Sequence, residues 1–98
     1  MLLDETRERL KASKKSIRCR ELVELMESLG FDMRDGSRGG HKIYTHPHLP
    51  DFWSSSFNCG HGKDPEIKPA YITRVLRVLG DHDSDLRAYL NGQHPDTE

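Results

Sequence analysis

At 98 residues the chain fits one compact domain and leaves no room for two. With 34% hydrophobic and 32% charged residues, it has no apolar run of membrane-spanning length, and Met1, Leu2 and Leu3 are far too short a start for a signal peptide. A soluble protein that stays in the cytoplasm and contacts no membrane is therefore expected, with its two cysteines, Cys19 and Cys59, too few for a disulfide framework and kept reduced.

Residues 4–12 have a helical composition with few apolar positions and read as a short helix. Ser16 is a plausible N-cap for a stronger helix over 18–29. There Cys19, Leu22, Val23, Met26 and Leu29 form one apolar stripe, and Gly30 closes the helix in a left-handed conformation. Phe31 and Met33 alternate with polar neighbours as a short strand. Residues 35–40 have turn chemistry, and 41–46 form the next strand, with Ile43 on one face and Lys42, Tyr44 and His46 on the other. An irregular loop from Pro47 leads to a third strand within 52–59, and 60–65 form a flexible loop. Pro69 suits the first turn of a second main helix. Tyr71, Ile72, Val75, Leu76 and Leu79 give that helix its stripe, and Gly80 stops it. Residues 84–90 form one or two further helical turns in a tail otherwise expected to be disordered. This order gives an α+β fold of two layers, a three-stranded antiparallel sheet with helices on one face.

The formal net charge of −1 hides an uneven distribution. Residues 34–79 carry seven basic and four acidic side chains, whereas residues 80–98 carry five acidic ones and a single arginine, so the middle of the chain suits a phosphate-bearing partner.

The chemistry concentrates in residues 36–47. The glycines there allow a tight turn and close approach to a phosphate. His41, at the start of a rigid strand, is suited to general acid–base work, because imidazole exchanges protons near neutral pH. Arg38 and Lys42 flank it and would offset phosphate charge. Spacing alone favours a hairpin turn carrying a surface histidine over a catalytic one. A phosphate-binding P-loop is excluded, because counting from Gly36 it requires glycine at 41 and a hydroxyl side chain at 43, where the chain has His41 and Ile43. His46, His48, Cys59 and His61 are zinc-type side chains without the longer spacing of a structural site, so no metal is assigned. Lys63, Lys68 and the start of the second helix would hold RNA backbone. Phe52 and Trp53 suit base stacking, core packing or contact with a protein partner.

Glu27, Ser28, Leu29, Gly30 and Phe31, then 36–47, then 62–69 together resemble the HicA (YcfA-like) toxin family, over residues 16–79. The most specific element is Gly-x-His-x-x-x-x-His-Pro at 39–47. The resemblance implies a double-stranded-RNA-binding-domain-like α-β-β-β-α fold at 16–80, flanked by an extension at 1–15 and an acidic tail at 81–98. It also implies cleavage of single-stranded mRNA without the ribosome, His41 as the functional histidine, and inhibition by a HicB-type antitoxin. No small-molecule cofactor is called for. The competing expectation is a non-catalytic RNA-binding or protein-interaction module on the same fold.

Overall fold

A computed structural model of the protein describes residues 2–13 and 15–92. Its elements are α1 (Leu2–Ala12), α2 (Cys19–Ser28), β1 (Asp32–Asp35), β2 (His41–Thr45), β3 (Ser55–Asn58), α3 (Pro69–Asp81) and α4 (Asp83–Leu90). The strands form one antiparallel sheet in the order β1-β2-β3, with Met33 opposite Tyr44 and Lys42 opposite Phe57. Helices cover one face of it, the two-layer α+β arrangement expected.

Alternation along β2 decides which side chains enter the core. Tyr44 is fully buried, and Phe57 of β3 joins it on the helix side. The stripes of α2 with its C-cap (Leu22, Met26 and the capping Leu29) and of α3 (Ile72, Val75, Leu79) close over them. Phe31 and Phe52 complete this layer, with Phe52 stacked on Tyr44 at 5.8 Å. Trp53, next in sequence, is 92% exposed, so the two aromatics of that loop separate into a packing residue and a solvent-facing one.

Long-range contacts set several boundaries. Ser16 does not cap α2. The N-cap is Arg18, without a side-chain bond, and the Asp64 carboxylate accepts the Arg20 N–H at 2.7 Å from 44 residues away. The segment before α3 pairs with the segment before α2 through an Arg18–Glu66 bridge. The Ile67 N–H donates to the Ile17 carbonyl and the Cys19 N–H to the Pro65 carbonyl. This pairing carries Cys19 to Cys59, with their Cα atoms 5.3 Å apart and their sulfurs joined in a disulfide. The expectation of two reduced thiols is corrected accordingly: two cysteines 40 residues apart become neighbours once the segments flanking 18 and 66 pair.

Gly30, at φ +94°, ends α2 as expected and leaves room for His46 and Tyr89, which an added Cβ would meet at under 3 Å. Gly80, by contrast, does not stop α3. The helix runs through it to Asp81, and His82 alone separates α3 from α4.

The acidic segment after Gly80 is also not disordered up to residue 92. Leu86 is buried, and Asp83 pairs with Arg7 of α1 at 2.7 Å and with Arg87 at 2.6 Å. Arg87 in turn reaches Asp4 at 2.6 Å, which draws the Asp4 carboxyl below the usual carboxylate range. Helices α1 and α4 thus pack on α3 as parts of the same body, with Leu3 and Leu10 fully buried. Residues 93–98 of the expected tail lie outside the described residues. No helix among the described residues is long and apolar enough to cross a membrane.

Candidate functional site

The turn between β1 and β2 holds His41 by its backbone. The Gly36 N–H donates to the His41 carbonyl at 2.8 Å, and the His41 N–H to the Arg38 carbonyl at 3.2 Å. The imidazole leans across Gly36, where an added Cβ would come within 2.6 Å of Nδ1, so only glycine leaves the ring its place. On the other side Gly40, at φ +80°, lies against the backbone of Gly60. A Cβ there would fall 2.4 Å from the Gly60 carbonyl oxygen, and the Cys59 N–H donates to the Gly40 carbonyl at 2.7 Å. His41 therefore sits half-buried in the central strand, between Gly36 and its cross-strand partner Asn58. Because side chains alternate along a strand, it lies on the face opposite Tyr44, the face without helices.

The same end of the sheet gathers cations. Arg38 is exposed in the turn itself, and Lys63 and Lys68 are exposed on the segment whose Gly60 abuts Gly40. Arg18, which the sequence reading did not single out, joins this segment by donating to the Asp64 carbonyl at 3.0 Å. Lys42 is not brought together with His41. Its side chain points to the helix face, pairs with Asp35, and lines a groove of about 420 Å³ beside Arg20, Glu24 and Glu27 of α2. A half-buried imidazole can move a proton, and guanidinium and ammonium groups on the segments flanking it are of the kind that hold a phosphate.

Neither Tyr44 of β2 nor His46, just beyond its end, can assist. Burial pushes the Tyr44 phenol pKa up, and the ring lies wholly inside the core. His46 is 5% exposed. Its Nδ1 accepts the His48 N–H at 3.1 Å, which leaves Nε2–H to donate to the Leu29 carbonyl at 3.0 Å. Burial lowers its pKa, and this neutral tautomer joins the end of α2 to β2, with Phe31 and Tyr89 packed edge-on at 4.8 Å. With both His46 nitrogens bonded and the Cys59 sulfur in a disulfide, the zinc-type side chains noted in the sequence do not converge. No group of three or more potential metal ligands occurs among the described residues.

From Asn58, the cross-strand partner of His41, a cleft of about 270 Å³ opens between the end of β3 and the start of α3, lined also by Gly60, His61, Glu66, Lys68 and Tyr71. Tyr71 belongs to the apolar stripe of α3, and periodicity alone assigns it to the core. Only the docking of α3 beside β3 turns its ring toward this opening.

The comparisons with known proteins give one positive result. The family model described as HicA toxin of bacterial toxin-antitoxin matches residues 19–80, well over half of the chain. No curated protein and no solved structure matches it.

Proposed function

This chain belongs to the HicA toxin family of bacterial toxin–antitoxin systems, and on that premise we propose that it is an endoribonuclease that cleaves mRNA without a metal ion, using His41. The observation that carries this reading is the seat of His41, held between Gly36 and Asn58 on the open face of the sheet, at the end where Arg38, Lys63 and Lys68 are exposed. His41 takes the proton of a 2′-hydroxyl, whose oxygen attacks the adjacent phosphorus, or returns a proton to the departing 5′-oxygen. Arg38, nearest in the turn, offsets charge on the phosphorane, while Lys63 and Lys68 hold flanking backbone. A single positioned imidazole supplies roughly 10²–10⁴-fold, enough for a slow toxin. The partners under this reading are single-stranded mRNA and a HicB-type antitoxin that covers the site.

The test is cleavage of a labelled single-stranded RNA by purified wild-type and His41→Ala protein, with EDTA present throughout. Cleavage by the wild type alone is the expected result. Equal cleavage by both removes His41 from the mechanism. No cleavage by either, with binding retained, supports the alternative of a non-catalytic RNA-binding module.

A further inference from the structure

We propose that the cleft between β3 and α3 is a nucleobase subsite, which seats the base of a nucleotide flanking the phosphodiester presented to His41. The inference rests on the RNA-directed reading above and adds to it where specificity resides.

Position is the first argument. Asn58, at the mouth of the cleft, is the direct cross-strand partner of His41, and Gly60, in its wall, touches Gly40. Directly opposed residues of an antiparallel pair have Cα atoms about 4.5–5.5 Å apart. Asn58 thus links the cleft to the strand position that carries the imidazole. Size is the second. At about 270 Å³ the cleft falls just under the span of drug-sized pockets and admits one base, not a folded oligonucleotide.

The lining chemistry favours a base over a phosphate. Glu66 is among the lining residues, and its carboxylate repels a phosphate but accepts the N–H donors of a base. Asn58 Oδ1 already accepts the Gly60 N–H at 2.7 Å, so its amide –NH₂ is the end that remains to donate to a ring nitrogen or carbonyl. Tyr71 supplies an aromatic face, with the Arg74 guanidinium 5.8 Å from the ring centroid, an arrangement suited to stacking. Lys68, at the rim, meets the phosphate that leads away from the seated base. Gly60 and Gly62, both at positive φ, leave the loop side of the rim bare of side chains where the sugar must pass.

The experiment measures binding and cleavage together. Fluorescence anisotropy of a labelled single-stranded RNA is followed with His41→Ala protein, and with the same protein carrying Tyr71→Leu or Tyr71→Phe. Base–aromatic stacking corresponds to a loss of roughly tenfold in affinity for Tyr71→Leu, and Tyr71→Phe keeps the affinity. In the protein with His41 intact, Tyr71→Leu raises KM by a similar factor and leaves kcat within about twofold. Asn58→Asp retains the acceptor for Gly60 but removes the amide donor, and it changes which positions of a long RNA are cut. Melting curves establish that each variant is folded. Unchanged affinity and an unchanged cleavage pattern in Tyr71→Leu overturn the subsite and leave His41 catalysis standing. An inert wild type that still loses affinity in Tyr71→Leu supports the subsite while removing the nuclease reading.

Discussion

Replacing Gly40 with alanine tests the claim that backbone contact between two loops places the imidazole. The native φ of +80° lies in the left-handed region, where a side chain costs roughly 1–2 kcal/mol. The new methyl would also stand 2.4 Å from the Gly60 carbonyl oxygen and 2.9 Å from the Gly60 nitrogen. Ordinary contact requires the loops to part by about 1 Å, which breaks the Cys59 N–H bond to the Gly40 carbonyl and costs about a further 1 kcal/mol. The sum, about 2–3 kcal/mol, lowers the melting temperature by roughly 10–20 °C in a domain of this size. Because His41 follows directly, a displacement of about 1 Å also lowers the cleavage rate roughly 10²-fold. The assay is a melting curve beside RNA cleavage well below the new Tm. Gly39→Ala is the control, because nothing lies within 4 Å of an added Cβ there, and its stability stays within about 0.5 kcal/mol. A Gly40→Ala protein that melts within a few degrees of wild type refutes the packing argument, and a destabilised one with undiminished cleavage refutes the positioning argument.

Three further outcomes follow from the same geometry. Replacing Cys19 and Cys59 together by serine opens a crosslink spanning 40 residues, and the resulting loss of about 2–4 kcal/mol lowers Tm under non-reducing conditions by roughly 10–30 °C; an unchanged Tm, or free thiols in the denatured wild type, would contradict the crosslink. His46 is held neutral by burial, so the unfolded chain protonates first as pH falls below about 6.5. Its contribution to stability is intact above that pH and is lost as pH falls toward the lower folded-state pKa. Tm recorded from pH 7.5 to 5.5 should fall more steeply in wild type than in His46→Gln, and parallel curves would count against this account. Lys42→Met, on the helix face, leaves kcat within about threefold, whereas Arg38→Met lowers kcat/KM by about tenfold, the worth of one charge-assisted phosphate contact; equal losses in both would mean that Lys42 reaches the same phosphate as His41.

Much of the fold was legible because it is written locally. The stripe from Cys19 to Leu29 and the one from Tyr71 to Leu79 repeat every three to four residues, and a helix buries either stripe whatever it packs against. The alternation from Lys42 to His46 likewise separates two faces of a strand before any partner is known. The glycines from Gly36 to Gly40 announce a turn, and the histidine that follows them needs no tertiary information to stand out.

What only the tertiary structure decided are the events that close long loops. Asp64 caps α2 from 44 residues away, and Cys19 meets Cys59 across 40. Both depend on the pairing of the chain around Ile17 with that around Ile67, which no local pattern encodes. Nor does periodicity distinguish Tyr71, at a cleft, from Ile72, in the core, since both belong to one stripe until β3 lies beside it. The charges of residues 80–92 read as a solvated tail because their partners, Asp4 and Arg7, lie at the other end of the chain. Backbone preference and side-chain periodicity act between neighbours and so appear in sequence order. Ion pairs, crosslinks and clefts arise between segments brought together by burial of a shared core, and they take their meaning from that core alone.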